Sequence, residues 1–415
     1  MLQLPHTAFY ISHNGEKDLL LHQLIGENRF NFPVPLHGLK GGIFSNATLQ
    51  YFIAEELLHD HFEIATENKN TLAHSSSGEQ RKALLAYIIA RQPGYLIIDN
   101  IFDSLDTAAR QSINVTLTKL AAGTLVIQLF SRRDELLPFI ETVYTIAANT
   151  VTACQHATAF RQQNLLIGSH HFAAAVPPPL TRYSLPPGPL VKMNHVSVQY
   201  DGRCVLTDIC WQINPGEFWQ LTGPNGSGKS TLLSLITGNS PKGYGQDLWL
   251  FGRKKGTGES VWQVKENTGY FTPAMALQFE RQDSIEQMII SGFFDSVGLY
   301  IKPSDIQVQL AQQWLLLMDM DKKRGQPFRL LPEADQRMVL IARAMVKHPP
   351  LLILDEPVAG LDDEMAALVV SLINKIAAET STAILYVSHR TEAGLSPNKI
   401  FQLFPSAGGS AGAVQ

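Results

Sequence analysis

The sequence predicts an α/β protein with parallel sheets, built as two tandem copies of which the first is trimmed and degenerate. Three observations predict it: a complete Gly-rich loop at residues 223–231, a long internal repeat, and a Pro-rich stretch between the copies. The loop reads Gly223-Pro224-Asn225-Gly226-Ser227-Gly228-Lys229-Ser230-Thr231 and fills the pattern G-x-x-x-x-G-K-[ST]. Such a loop, opening a helix, aims backbone N–H groups at phosphate oxygens. Lys229 adds a point charge for the β- and γ-phosphates, and Ser230 offers a hydroxyl to Mg²⁺. Its flanks agree: residues 218–221 read as a buried strand and 232–236 as helix.

The repeat pairs residues 78–133 with 334–390. Gly78-Glu79-Gln80-Arg81 matches Ala334-Asp335-Gln336-Arg337, and the apolar run ending in Asp99-Asn100 matches the one ending in Asp355-Glu356. Ser104-Leu105-Asp106 matches Gly360-Leu361-Asp362, and Ser131-Arg132-Arg133 matches Ser388-His389-Arg390. Both copies run helix, buried strand, helix, buried strand, the crossover pattern of a parallel sheet. Ala173 to Pro179 and Pro186-Pro187-Gly188-Pro189 read as an extended, semi-stiff spacer. The expected organisation is a first copy at 1–165, a linker at 166–190, a second copy at 191–405 and a flexible Gly/Ser/Ala-rich tail at 406–415.

In order along the chain, Tyr200, the 223–231 loop, the run from Leu351 to Pro357, the Gly360-Leu361-Asp362 turn and the Ser388-His389 pair resemble the ATP-binding cassette (ABC) ATPases. These are P-loop NTPases. The segments Gly243-Tyr244-Gly245-Gln246-Asp247-Leu248 and Leu250-Phe251-Gly252-Arg253, with the run from Ser291 to Gly298, are most similar to a soluble tandem-cassette branch named for molybdate transport and photorepair. The resemblance implies ATP and Mg²⁺ as ligands and Tyr200 stacked on adenine. It also implies two cassettes paired head to tail, each ATP bound by one cassette's loop and covered by the other's L-S-G-G-Q signature.

On that pattern one site is complete. Lys229 and Ser230 hold phosphates and metal, and Asp355, at a strand end, holds Mg²⁺. Glu356 orients and deprotonates water, and His389 reaches the γ-phosphate. The covering signature is Ser75-Ser76-Ser77-Gly78-Glu79-Gln80, with Ser76 and Gly78 in the key places; standing alone, Ser76 also reads as a plain helix N-cap. The other site is broken. Gly38-Leu39-Lys40-Gly41-Gly42-Ile43-Phe44-Ser45 is read as its loop, with Phe44 at the Lys position and Ile43 at a Gly position. Asn100 replaces the Glu and Arg132 the His. Its signature, Leu331-Pro332-Glu333-Ala334-Asp335-Gln336, has lost the Ser and Gly and gained two acids that repel phosphate. The losses sort by site rather than by copy, which points to pairing within one chain. The family's Gln after the 268–271 strand is Pro273 beside Thr272, which puts conventional coupling to a membrane subunit in doubt.

Composition bounds the rest. Net charge is −4 and the pI is near 6.4, which argues against a general affinity for nucleic acid or anionic membrane. Cys154, Cys204 and Cys210 lack metal-site spacing and suit a reducing compartment. Neither a leader nor an apolar run of spanning length is evident, so the expected location is cytoplasmic, with a peripheral place at the inner membrane face as the alternative. The expected activity is MgATP hydrolysis at one composite site, driving a conformational change coupled to an unknown partner, either separate membrane subunits or another protein. The rivals are the energy subunit of a transporter for an oxyanion such as molybdate, with separate membrane subunits, and an ATP-gated factor for nucleic acid or ribosomes. His59-Asp60-His61, His170-His171 and Arg253-Lys254-Lys255 read as solvated loops.

Overall fold

The computed structural model describes residues 6–11, 36, 39–59, 62–64, 66, 71–102, 105–147, 150–163, 170–181, 183–279 and 281–415. Residues 1–5, Gly38, Asp60, His61, Ser104 and 164–169, which enter the sequence reading, lie outside them. The chain divides into two units, Met1–Gly168 with Gly360–Met365, and Ser169–Ala359 with Ala366–Gln415.

The first unit carries β1 (Thr7–Ile11), β2 (Gly41–Ser45), β3 (Tyr95–Asp99), β4 (Leu125–Phe130), β5 (Thr142–Ala147) and β6 (Thr150–His156), in the order β2-β3-β4-β1-β5-β6. All pairs are parallel except β5 with β6. The second unit carries β7 (Val191–Tyr200), β8 (Arg203–Ile213), β9 (Phe218–Thr222), β10 (Asp247–Leu250), β11 (Arg253–Lys254), β12 (Thr268–Phe271), β13 (Leu351–Asp355), β14 (Ala383–Val387), β15 (Lys399–Phe404) and β16 (Ala411–Val414). Its main sheet, β12-β13-β14-β9-β15-β16, repeats the first unit's order strand for strand, again with only the last pair antiparallel. Strands β4 and β14 are buried along their whole length, as a central parallel strand covered on both faces must be.

The helices of the repeat are Ser77–Ala90 and Thr107–Leu120 in one copy, Glu333–Met345 and Asp363–Glu379 in the other. Local chemistry starts the first two. Ser76 and Glu79 form a capping box, and Asp106 accepts from Ala109 N at 2.8 Å. Upstream, the buried Glu56 carboxylate accepts Leu72 N and Ala73 N, both at 3.1 Å, and so fixes the chain leading to Ser76.

The ladders align the two copies residue by residue. Asp99 pairs with Leu129 and Asp355 with Val387; Gly42 pairs with Leu96 and Gly269 with Leu352. Both glycines are there for space. A Cβ on Gly42 would meet Ile88 Cγ2 at 2.7 Å and Leu96 Cδ1 at 3.3 Å, and one on Gly269 would meet the Ala344 carbonyl at 2.4 Å.

This alignment corrects the reading of 38–45 as the first copy's loop. Gly41–Ser45 is β2, paired with β3, and stands where β12 stands in the second unit. Gly41 and Gly42 serve close packing under helix and strand, not phosphate approach. The strand level with β9, which leads into the 223–231 loop, is β1.

Three further expectations change. Ala411–Val414, read as part of a flexible tail, is β16; its backbone groups pair with the free edge of β15, and Gly412 lets the strand pass over Phe401. The spacer belongs to the second unit: Val176 N donates to Glu379 Oε2 at 2.8 Å and Tyr183 OH to Glu266 O at 3.1 Å. Lys255, read as solvated, is buried in an ion pair with Glu259 at 3.3 Å.

The second unit adds an antiparallel sheet, β11-β10-β7-β8, whose alternating burial marks one face against the core. Among the described residues the first unit has no counterpart to it. One helix, Asn46–His59, follows β2, whereas Ile285–Ser291 and Asp305–Leu317 follow β12. The core of the second unit gathers Trp211, Leu221, Leu232, Ile353, Leu385 and Phe401 beneath both sheets.

Candidate functional site

In the second unit the loop runs from β9 into the helix Lys229–Ile236. Gly223, Gly226 and Gly228 all have positive φ, at 152°, 75° and 90°, a path that side chains resist. The space is equally closed: a Cβ on Gly223 would lie 2.7 Å from Ser227 Oγ, and one on Gly228 2.7 Å from Leu206 Cδ2. Lys229 Nζ donates to Gly223 O at 2.7 Å and to Pro224 O at 3.1 Å, so the loop's own carbonyls hold the ammonium. Ser227 is fully buried, and its Oγ has no protein partner.

Two other strands of the same sheet, β13 and β14, bring their ends to the site. Asp355 ends β13, with its carboxyl pushed up to about 6 by burial and then by the neighbouring Glu356 charge. Tyr270 OH, from β12, donates to Asp355 Oδ2 at 3.3 Å. Ser230 and Asp355 line one cleft of about 410 Å³ that also reaches Met275 and Gln278. Glu356 sits at φ 49°, with its N–H donating to Val387 O at 2.9 Å. Its carboxyl is held below the ordinary range, chiefly by the hydrogen bond with His389 Nδ1 at 3.2 Å. An ionised carboxylate only accepts, so Nδ1 is the donor there. His389 Nε2 is buried and has no protein partner. Two orphaned polar atoms, Ser227 Oγ and His389 Nε2, in one site with the buried Asp355 carboxyl are features that a magnesium–triphosphate would satisfy.

The remaining expected residues fall as follows. Tyr200 ends β7, 40 % exposed, with Lys242 Nζ 5.4 Å from its ring centroid. Asn225 and Thr231 lie in the loop and on the first turn of the helix. Pro273 opens the turn Pro273–Gln278 after Thr272. In the first unit, Ser76 caps Ser77–Ala90, its Oγ donating to Glu79 Oε2 at 2.7 Å, and Gly78 lies in the first turn. The plain N-cap reading of Ser76 therefore describes a role it fills.

The first unit's strand ends keep the backbone and change the chemistry. Asn100 has φ 41°, and its N–H donates to Leu129 O at 3.2 Å, as Glu356 does to Val387 O. Its side chain donates to Ser131 Oγ at 3.1 Å. The ladder therefore puts Ser131, not Arg132, level with His389. Arg132 is buried within its unit and donates to Leu361 O at 2.6 Å. Ile43 stands level with Tyr270.

Sequence reading missed Tyr270, because a strand tyrosine carries no motif. It also missed the segment after β1, Ser12-His13-Asn14-Gly15-Glu16-Lys17, which lies outside the described residues. The signal was available: Lys17 follows Phe9 at the interval by which Lys229 follows Leu221, and an apolar Leu19-Leu20-Leu21 run comes next.

A Gly-rich loop between strand β9 and a helix, in one parallel sheet with a strand tipped by Asp355-Glu356 and a neighbour leading to His389, defines a phosphate-loop nucleotide-binding cassette. The chain belongs to the ABC ATPases. The family model described as ABC transporter matches residues 206–359. The ABC transporter ATP-binding protein ModF of Escherichia coli is 40% identical over 327 residues, 76% of this chain and 67% of that protein. An uncharacterised ABC transporter ATP-binding protein of Schizosaccharomyces pombe is 29% identical, over 77% of this chain and 66% of its own length. The chain thus spans about two thirds of each. A model of ribosome-bound archaeal Pelota and ABCE1 matches in fold, with TM-score 0.67 at 15% identity over 99% of this chain and 74% of that one. No described helix is long and apolar enough to cross a membrane.

Proposed function

We propose that the second unit binds MgATP and hydrolyses it, that Ser76 and Gly78 of the first unit complete the site, and that the cycle drives a partner protein. The observation that carries this reading is the Glu356–His389 pair, at 3.2 Å, on adjacent strand ends beside the Lys229 loop. Glu356 holds a left-handed backbone at φ 49°, which is costly for a residue with a long side chain. A strained, charged residue retained there favours chemistry over packing.

In the proposed reaction the loop amides and Lys229 bind the β- and γ-phosphates, and Lys229 gives up the Gly223 and Pro224 carbonyls to do so. Ser230 and Asp355 would hold Mg²⁺, whose bound charge offsets that of the phosphate oxygens. Tyr270 orients the Asp355 carboxylate. Glu356 accepts a proton from the attacking water, and His389 Nε2 and Ser76 Oγ contact the γ-phosphate. Ser76 then exchanges the Glu79 carboxylate for a phosphate oxygen. The acids of the other signature, Glu333 and Asp335, already bind Arg337 at 2.5 Å and Lys323 at 3.0 Å, which supports a structural use for that segment.

The test is single-turnover hydrolysis with bound nucleotide counted per chain. Lys229→Ala is expected to lose binding, and Ser76→Arg to keep binding while losing hydrolysis. Unchanged hydrolysis in Ser76→Arg would sink the composite site; where hydrolysis is lost, thermal melting separates loss of the site from loss of the helix cap, which costs about 1 kcal/mol. A second reading, the energy subunit for separate membrane proteins, is favoured by exposed apolar side chains around the turn after β12 and the helices beyond it. Leu277 is 82 % exposed and Tyr300 68 %. Co-purification with membrane subunits would select it.

A further inference from the structure

We propose that His195, Asp208 and Cys210, on the exposed face of the β7–β8 hairpin, form a binding site for one zinc-class divalent ion. None of the three belongs to the nucleotide loop or to the acid-tipped strand ends. One ring nitrogen of His195, one carboxylate oxygen of Asp208 and Cys210 Sγ all lie within 4.8 Å of one another.

The hairpin is built irregularly at this point. Ladder register shifts between Met193 and Val196, and again between Val196 and Val198. His195 and Asp208 both sit in the left-handed region, each at φ 54°. Bulges re-aim side chains, and these bring residues from two strands onto one spot. The Asp208 backbone is tied by its N–H to Ser197 Oγ at 2.9 Å, and the His195 N–H donates to Cys210 Sγ at 3.3 Å.

The distances suit a tetrahedral ion. Ligands at about 2.0–2.3 Å from zinc stand roughly 3.3–3.7 Å apart. Cys210 Sγ and His195 Nδ1 are already 3.6 Å apart. His195 Nδ1 and Asp208 Oδ1 are hydrogen-bonded at 2.6 Å and must open slightly, which two exposed side chains do at little cost. The donor set is one sulfur, one imidazole nitrogen and one carboxylate oxygen. That mixture selects zinc, or cobalt as its stand-in, over the all-oxygen cations. A thiolate and a carboxylate balance the charge of a dication, and a fourth position remains for water or a partner's side chain. The alternative is a surface His–Asp pair beside an idle thiol, which solvent screens.

The experiment is a Co²⁺ titration of the whole chain, reduced with a thiol-free reductant, followed by displacement with Zn²⁺. One equivalent of Co²⁺ is expected to give a thiolate charge-transfer band in the near ultraviolet, abolished in Cys210→Ser and retained in Cys204→Ser and Cys154→Ser. ATP hydrolysis by Cys210→Ser should match the parent, showing that the variant folds. His195→Gln gives a second route: its Co²⁺ affinity should fall by at least the roughly 10- to 100-fold that loss of an outer-shell partner costs. No thiolate band in the parent, a band that survives Cys210→Ser, or an undiminished affinity in His195→Gln would each overturn the site.

Discussion

The strand ends of the two units share a backbone and differ in chemistry. Asn100 and Glu356 both follow an Asp at the end of a parallel strand, both have positive φ, and both donate their N–H to the neighbouring strand. Around Glu356 stand Tyr270 and His389; around Asn100 the matching positions hold Ile43 and Ser131. The turn geometry is thus a property of the sheet, which imposes it whatever side chain follows. Asn tolerates the left-handed region, so the first unit keeps the turn cheaply, whereas Glu356 accepts strain for a carboxylate in that place.

The largest effect expected from this comparison is catalytic. Glu356→Gln should slow single-turnover hydrolysis by about 10²- to 10⁴-fold while ATP remains bound. Asn100→Glu should leave the rate and the bound nucleotide per chain unchanged, since Ile43 and Ser131 still lack the partners' chemistry. A second bound nucleotide in Asn100→Glu would break the comparison. Lys17→Ala should likewise leave nucleotide binding intact, because Glu16 and Asp18 flank that lysine with negative charge.

Next come the paired glycines. Gly269→Ala drives a methyl into the Ala344 carbonyl and should cost about 2–3 kcal/mol in chemical denaturation. Gly42→Ala meets mainly side-chain atoms, which can move, and should cost about 1 kcal/mol. Equal losses would mean that the first sheet is packed as rigidly as the second.

Asp355 gives a smaller, pH-dependent effect. Its folded value of about 6 stands above the ordinary aspartate value of 3.8, so protonation favours the folded state. Stability from this group is full below about pH 4, falls as pH rises to about 6, and is level above. Asp355→Asn should remove that step and stabilise the metal-free protein at pH 7 by on the order of 1–2 kcal/mol. Magnesium affinity should fall as pH drops through 6, because the proton competes for the carboxylate. A parent protein with flat stability across that window would argue against the buried charge. The smallest effect is Tyr270→Phe, which removes one hydrogen bond to Asp355 and should weaken Mg²⁺-dependent ATP binding by about 1 kcal/mol. An equal loss without Mg²⁺ would assign Tyr270 to packing alone.

Most of the second unit's site was legible because its chemistry is local in sequence. Gly223 to Thr231 form one continuous loop, and Asp355-Glu356 and Ser388-His389 each end an apolar run. The first unit was less legible. Gly41-Gly42 imitates a phosphate loop, yet its glycines answer to Ile88, Tyr95 and Leu96, contacts that only the paired strands create. Arg132 looked level with His389 because Ser131 and Ser388 match as letters, while the ladder is offset by one.

By itself the sequence determined the ligand class, the repeat and the order of helices and strands within the repeat, since loop composition and apolar periodicity are read within a few neighbouring residues. Tertiary structure alone decided which strand of the first unit lies level with β9, where β16 and the Pro-rich segment pack, and that Tyr270 meets Asp355. Hydrogen-bond register between distant strands sets those relations, and a slip of one residue, invisible in the letters, changes which side chains meet.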